Sequence, residues 1–282
     1  MSSELSEVFP SSKNELYWMD EAYRLAEKAF SEGEIPVGAI IVMHDRIIGR
    51  GYNQCERLND PTAHAEILAI SAAASTIEDW RLNNCNLYVT KGVSDYYPLV
   101  LAHTDSVHEI EEMVVREEYL PNSQGENKLA LKAYTKEDGS PTGIGGDDKA
   151  GVFICLKMLE HFDNIKAFFP VAEETGCHGS NDADEKFFKD VGFAIQFDST
   201  ENDTMSLTLM GVKLFEEESD FFSSVKDIIL EHGLKNWYNH PYTDTMKLKE
   251  KFDFPCLNFA AGYYNYHTKD EYVVVEDVQN TC

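Results

Sequence analysis

The stretch YPLVLAHTD, residues 97–105, joins a short apolar run to two potential metal-site residues, His103 and Asp105. The apolar part is typical of a buried strand. Side chains that follow such a strand in an open α/β sheet lie in the crevice where ligands bind. His103 can offer a ring nitrogen to a metal, and Asp105, on the same face, can accept the other ring N–H. The stretch therefore predicts a strand that ends at a candidate metal ligand.

Four later stretches repeat this arrangement, with acidic or histidine side chains placed beside an apolar run. They are GIGGDDKAG (residues 143–151), FFPVAEETG (168–176), FAIQFD (193–198) and FAAGYYNYHT (259–268). Each stretch alone has an ordinary explanation, such as a helix cap or a solvated acidic turn. The joint pattern is more specific, and it makes candidates of Asp147, Glu173, Glu174, Asp198 and His267.

The order His-x-Asp, Asp-Asp-Lys-x-Gly, Glu-Glu, Asp, His resembles the M20 family of co-catalytic zinc peptidases, especially its tripeptidase-like members. The resemblance spans roughly residues 86–282. It implies an α/β fold in which a central mixed, largely parallel sheet carries helices on both faces. It also implies a cis peptide bond between Asp147 and Asp148.

The resemblance also assigns a metal ligand to each of the five stretches. It implies two Zn²⁺ ions, with His103 and Asp198 on one, Glu174 and His267 on the other, and Asp147 bridging them. Metal ions placed in this way lower the pKa of a bound water and polarise a scissile carbonyl. The expected activity is hydrolysis of short peptides.

Two further roles follow from the same resemblance. Glu173 would be the general base, and Asp105 would orient His103. The family also inserts a lid or dimerisation domain between its last Asp and last His ligands, and the residues between 198 and 267 are too few for it. The lid supplies a histidine that steadies the oxyanion. Here His240 and Tyr264 are the candidates to replace it, with a structural role as the alternative for each.

The first 90 residues predict a different unit. Apolar residues at helical spacing indicate a helix over residues 14–31, and a hairpin follows over 37–43 and 46–51, turning at His44 and Asp45. A second helix over 62–74 carries the sequence His-Ala-Glu in its first turn.

These residues resemble the tRNA adenosine deaminase branch of the cytidine deaminase superfamily. The resemblance rests on EIPVGA (residues 34–39), GYN (51–53) and DPTAHAE (60–66). It implies an α/β/α segment in which His64 binds zinc, Glu66 shuttles protons and Asn53 contacts the substrate. The family pattern then requires P-C-x-x-C, but the chain continues with KGVSD and has no cysteine between 85 and 155. The segment is therefore expected to be truncated, since catalytic zinc needs three protein ligands.

The use of basic residues changes near position 90. Five Arg and two Lys precede it, whereas one Arg and sixteen Lys follow it. We therefore predict a deaminase-like segment over residues 1–90 and a peptidase-like domain over 91–282, without the lid. Three functions stay open at this point, namely a two-zinc peptidase, a zinc-dependent adenosine deaminase and an inactive fusion. The sequence does not distinguish a natural fusion from a constructed one.

Charge and composition narrow the class of partners. A net charge of −26 argues against non-specific contact with nucleic acid or an anionic membrane. The start lacks the features of a secretion signal, and the longest apolar run, residues 35–43, is far too short to span a membrane. Six scattered cysteines favour reduced thiols and a cytoplasmic location. The oligomeric state is not predicted.

Overall fold

Eight α-helices and fifteen β-strands make up the described part of the chain, which in this computed structural model comprises residues 17–43, 46–77, 85–108, 112–240 and 242–281. Within these residues no helix is both long and apolar enough to cross a membrane. The helices are α1 (Tyr17–Ser31), α2 (Cys55–Leu58), α3 (Ala65–Ile77), α4 (Gly146–His161), α5 (His178–Asn181), α6 (Asp220–Glu231), α7 (Asp244–Lys251) and α8 (Val275–Thr281).

The strands form two sheets. They are β1 (Val37–Met43), β2 (Arg46–Tyr52), β3 (Asn86–Lys91), β4 (Tyr97–Leu101), β5 (Met113–Pro121), β6 (Asn127–Thr135), β7 (Pro141–Thr142), β8 (Ile165–Phe169), β9 (Val191–Ser199), β10 (Thr204–Leu209), β11 (Val212–Lys213), β12 (Asn236–His240), β13 (Cys256–Ala260), β14 (Tyr263–Tyr264) and β15 (Tyr272–Val274). The two helices and the hairpin predicted near the start are present as α1, α3 and β1-β2, although α3 begins at Ala65 and not at residue 62. The predicted turn at His44 and Asp45 lies outside the described residues.

The larger sheet has ten strands in the order β11-β10-β13-β9-β4-β8-β3-β1-β2, with β12 paired to β10. Its centre, β13-β9-β4-β8, is parallel, and β3, β1 and β2 continue it as antiparallel strands. The predicted mixed α/β sheet is confirmed. The parallel pairs are those among the central four strands and the pair β10-β12, while β3, β1 and β2 on one side and β10-β13 and β10-β11 on the other pair antiparallel.

Two apolar layers cover the two faces of this sheet. Alternate residues of one strand enter different layers, as Leu99 and Leu101 of β4 do on one face and Val100 on the other. Helices α1, α6 and α7 contribute to the first layer, and α3, α4 and α8 to the second. The predicted placement of helices on both faces is therefore confirmed.

The sheet is continuous across the predicted boundary at residue 90. Strand β3 pairs with β1 on one side and with β8 on the other. At its end the buried Lys91 donates to the carbonyl of Leu159 at 2.8 Å, at the C-terminus of α4. At its start the Asn86 amide donates to the carbonyl of Gly179 at 2.9 Å. The boundary stays a prediction about sequence origin, since the two segments share one sheet.

The smaller sheet has the order β14-β15-β6-β5, with β7 paired to β6. In the sequence, residues 106–142 are charged and turn-rich, and within them only 128–135 alternate enough to predict a strand. The structure adds β5 as the antiparallel partner of β6. Strand β5 gives a weak sequence signal because most of its side chains, including Arg116, Glu117 and Tyr119, are exposed.

The described cysteines are free, and four of the five are buried. This agrees with the prediction of reduced, packed thiols. Cys282 lies outside the described residues.

Close packing between α3 and β2 depends on two glycines. A Cβ added at Gly51 would lie 1.9 Å from the carbonyl oxygen of Ala65, and one at Gly49 would lie 2.2 Å from that of Ala69. Both distances are far inside van der Waals contact, and both meet helix backbone. The helix can therefore lie this close to the sheet only because these positions lack side chains.

We expect Gly51→Ala to lower the free energy of unfolding by about 3 kcal/mol, because α3 must move away from the sheet. Urea unfolding followed by circular dichroism measures this loss. Gly125→Ala is the control, since a Cβ there meets open space and only its positive φ of 75° is strained. Its expected loss is about 1 kcal/mol. Equal losses for the two variants would contradict the packing argument.

Candidate metal centre

The predicted ligands meet at the carboxyl edge of the central parallel strands. His103 follows β4, Glu173 and Glu174 follow β8, and Asp198 lies near the end of β9. Because β8, β4 and β9 are parallel neighbours, their carboxyl ends lie side by side. The other ligands arrive from the start of α4 and from the turn after β14. The structure thus brings all five predicted ligands and the predicted base into one pocket.

Asp147 lies between the two histidines. Its Oδ1 is 3.0 Å from Nε2 of His103, and its Oδ2 is 3.1 Å from Nε2 of His267. Each carboxylate oxygen therefore faces a different imidazole. Asp147 is therefore the carboxylate that links the two histidines.

The remaining acids divide between the two histidines. Asp198 Oδ1 is 3.8 Å from Nε2 of His103, and Glu174 Oε2 is 3.0 Å from Nε2 of His267. Glu173 Oε2 lies 3.9 Å from Nε2 of His103. The grouping is the one implied by the resemblance, with His103 beside Asp198 and His267 beside Glu174. The roles themselves stay predictions.

Asp105 connects two parts of the pocket. Its carboxylate accepts the backbone N–H of Glu173 at 3.0 Å and that of Glu174 at 3.2 Å. Nδ1 of His103 is 3.1 Å from the backbone oxygen of Asp105 and 3.5 Å from its carboxylate. The residue therefore positions the Glu-Glu turn as well as the His103 ring.

Two acidic residues support the loop that carries Asp147. Glu271, fully buried, accepts the backbone N–H of Gly145 at 2.7 Å and that of Asp147 at 3.0 Å. Asp148, also fully buried, accepts the N–H of His103 at 3.2 Å. The Asp147–Asp148 peptide bond is cis, as the resemblance implied. Sequence reasoning gave Glu271 no role, and its only signal is a position four residues after His267.

Asp198 is held by two donors that sequence reasoning also missed. The buried hydroxyl of Tyr263 donates to its Oδ1 at 3.2 Å. The buried amide of Gln196 donates to its Oδ2 at 3.0 Å. Gln196 precedes Asp198 by two residues on β9, so the alternation of a strand was the available signal.

The pocket concentrates charge away from water. Burial, together with the charge of Asp198, raises the pKa of Glu173 to about 10. Burial likewise raises the pKa of Asp198 to about 6. For Asp147 burial acts in the same direction, but hydrogen bonds with both histidines outweigh it and hold the pKa below its ordinary value. Carboxylates crowded in this way repel one another unless a cation or a proton intervenes.

The donor set fits divalent metal ions. Two groups of donors, His103 with Asp147 and Glu174, and His103 with Asp148 and Asp198, each bring their atoms within 4.8 Å of one another. Glu174 Oε1 is buried and has no hydrogen-bond partner among the described residues. Imidazole nitrogens and carboxylate oxygens are the ligands that zinc takes in catalytic sites. Asp148 already accepts two backbone N–H groups, which leaves Asp147 and Asp198 as the freer aspartates.

A cavity of about 270 Å³ opens onto these ligands. Besides the acids and His267, its wall includes hydroxyl-bearing side chains: Thr200, Tyr242, Thr243, Tyr263 and Tyr266. The cavity wall thus combines acidic side chains with neutral hydroxyl groups.

Tyr264, one of the two proposed replacements for the lid histidine, lies outside this wall. Its hydroxyl donates to Asp277 at 2.6 Å and accepts the N–H of Ser123, so its role is structural. The side chain of His240, the other candidate, lies outside the described residues.

The deaminase-type residues do not assemble a comparable site. His64 is exposed, and its Nδ1 is 3.8 Å from Sγ of Cys55. Asn53 is buried, and its side chain accepts the N–H of Ala65 at 3.3 Å. Among the described residues neither His64 nor Glu66 belongs to a cluster of three metal-ligating side chains. The segment in place of the expected P-C-x-x-C leads directly into β4.

Comparison with known proteins finds deaminase relatives for the N-terminal segment. Residues 12–92 match the family model of the cytidine and deoxycytidylate deaminase zinc-binding region. A tRNA-specific adenosine deaminase of Aquifex aeolicus is 45% identical over 93 residues, which are 32% of this chain and 62% of that protein. The enzyme of Buchnera aphidicola is 47% identical over 79 residues, 28% of this chain and 52% of that protein. The chain thus spans less than two thirds of these relatives.

Comparison of structures finds peptidase folds for nearly the whole chain. The aminopeptidase PepT of Bacillus cereus superposes with a TM-score of 0.56 at 13% identity, covering 95% of this chain and 96% of that one. A tripeptidase of Staphylococcus aureus superposes with a TM-score of 0.53 at 12% identity, covering 95% of both chains. The deaminase resemblance is confirmed over residues 12–92. The peptidase resemblance is confirmed at the level of the fold, which this chain shares with the aminopeptidase and the tripeptidase.

Proposed function

We propose that this chain is a metallopeptidase that hydrolyses short peptides with the help of two zinc ions. The observation that carries the proposal is the position of Asp147, whose two carboxylate oxygens each face a different histidine at 3.0 and 3.1 Å. Asp198 and Glu174 complete one donor group on each side. The fold shared with an aminopeptidase and a tripeptidase supports the same activity.

In this proposal the ligands divide as the family resemblance implies. His103 and Asp198 would hold one zinc, His267 and Glu174 the other, and Asp147 both. Two Zn²⁺ ions so held supply a water of lowered pKa and polarise the scissile carbonyl. Four carboxylates, those of Asp147, Glu173, Glu174 and Asp198, balance the charge of two divalent cations.

Glu173 is placed to move the proton. It lies beside His103 in the pocket, and the N–H group of its own backbone is fixed by Asp105. Its carboxylate takes a proton from the attacking water as the water oxygen bonds to the carbonyl carbon. The proton then passes from Glu173 to the amine nitrogen as the C–N bond breaks, which returns Glu173 to its starting state.

The cavity sets the scale of the substrate. A cavity of about 270 Å³ has room for a short peptide. Short peptides are therefore the proposed substrates, with an aminopeptidase or tripeptidase type of cleavage.

Adenosine deamination is the weaker proposal for this chain. The described residues give His64 no third metal ligand, and the sequence lacks the cysteine pair of that family. The N-terminal segment instead contributes strands and helices to the shared sheet. An inactive fusion is the third possibility, and the absence of bound zinc would indicate it.

Metal content should follow the peptidase ligands. We expect the zinc-loaded chain to hold about two zinc ions, measured by elemental mass spectrometry after gel filtration. His103→Ala should lose at least one of them, whereas His64→Ala should keep both, because His64 is exposed and belongs to no group of three metal-ligating side chains among the described residues. A single zinc that disappears with His64→Ala would revive the deaminase hypothesis, and no bound zinc would favour the inactive fusion.

Glu173→Gln should abolish catalysis and leave the metal in place. We expect kcat for hydrolysis of trialanine to fall by about 10³-fold, since an amide cannot accept the proton from water. Zinc content measured on the same sample should match the unchanged chain. Glu231→Gln, an exposed change on α6, is the matched control and should keep full activity. Undiminished hydrolysis by a zinc-loaded Glu173→Gln variant would overturn the assignment.

A further inference from the structure

Tyr266 stands beside His267 in the turn between β14 and β15, on the wall of the cavity. Sequence reasoning gave it no role. Its side chain is 40% exposed, although its ring has two aromatic neighbours. A tyrosine side chain therefore lies on the wall of an acidic cavity.

The ring is fixed by packing. It meets the His267 ring edge-on, with centroids 4.8 Å apart, and the Tyr263 ring edge-on at 6.2 Å. The turn itself is held by a hydrogen bond of 2.6 Å from the Thr268 hydroxyl to the carbonyl of Asn265. Asn265 and His267 have positive φ angles of 54° and 61°, so the surrounding contacts hold a backbone that side-chain-bearing residues seldom adopt. The turn therefore holds the Tyr266 ring against two aromatic side chains.

The other hydroxyl groups of the cavity wall already have partners. Tyr242 donates to the carbonyl of Glu174 at 3.2 Å, and Tyr263 donates to Asp198 at 3.2 Å. The Thr200 hydroxyl donates to the carbonyl of Tyr263 at 3.0 Å. The Thr243 hydroxyl lies 2.7 Å from the hydroxyl of Thr245. Within the part of the chain that the structure describes, the Tyr266 hydroxyl has no hydrogen-bond partner. It is the neutral donor that the wall leaves available.

Peptide hydrolysis needs such a donor. As water adds to the carbonyl carbon, the carbonyl oxygen gains negative charge, and the carboxylates of the pocket repel that charge. A fixed hydroxyl nearby offsets the repulsion because it needs no reorganisation when the charge develops. We propose that the Tyr266 hydroxyl donates a hydrogen bond to this oxygen in the transition state. Tyr266 is then a catalytic residue of the peptidase activity proposed above, and the inference rests on that activity.

The test removes the hydroxyl and keeps the ring. In the zinc-loaded full chain, Tyr266→Phe should lower kcat for trialanine about 100-fold and change KM by less than about threefold, because the bond forms in the transition state. Zinc content should be unchanged, since the ring that packs on His267 remains. Tyr119→Phe is the matched control, an exposed tyrosine of β5 outside the cavity wall, and should keep the full kcat.

The outcomes separate the two proposals. A chain that binds zinc but does not cleave trialanine or related short peptides overturns the peptidase function and this inference with it. An active chain whose Tyr266→Phe variant keeps its kcat overturns this inference alone. A Tyr266→Phe variant that loses zinc, or changes KM in place of kcat, also overturns it, because the residue would then position His267 or bind substrate without acting on the transition state.

Discussion

The contact of one carboxylate with two imidazoles, Asp147 between His103 and His267, is the constraint on which the pocket depends. It requires side chains from three segments that are distant in sequence to meet, with each imidazole nitrogen about 3 Å from an oxygen of Asp147. The parallel strands bring His103 to the sheet edge, Glu271 fixes the loop that carries Asp147, and a turn with left-handed residues presents His267. Several buried carboxylates gather around this contact and would repel one another in the absence of cations. The metal binding proposed above would offset that repulsion.

A single strand unites the two sequence types. Strand β3 is buried along most of its length and pairs on both edges, with β1 from the deaminase-type segment and with β8 beside the pocket. Helix α1 covers one face of the sheet near this strand and α3 covers the other. The deaminase-type segment therefore completes the two-layer packing of a peptidase-like fold. This explains why structures of peptidases superpose on 95% of the chain even though part of its sequence is related to deaminases.

The sequence predicted the candidate ligands well because each depends on a local pattern, an apolar run followed by His, Asp or Glu. It predicted the supporting residues poorly. Glu271 and Tyr263 act through contacts with residues about 65 to 125 positions away, and a local pattern cannot indicate such partners. Strand β5 was not predicted because most of its side chains are exposed and several of them are charged. Lys166 is a charged residue whose burial a local pattern does not indicate. It is fully buried in β8, where its ammonium group donates to the carbonyl of Phe187 at 2.6 Å and pairs with Asp190.

Packing and catalysis place different demands on the deaminase-type segment. Packing is distributed over many positions, so α1, β1, β2, α3 and β3 can join a new sheet through alternating apolar residues and close glycine contacts. A zinc site depends on three ligands at fixed positions, and it fails when one sequence element is replaced. His64 stands exposed at the start of α3 while Ala65, the next residue, is fully buried against β2. The helix therefore contributes to the packing of the sheet, and both groups of candidate metal ligands among the described residues lie after β3.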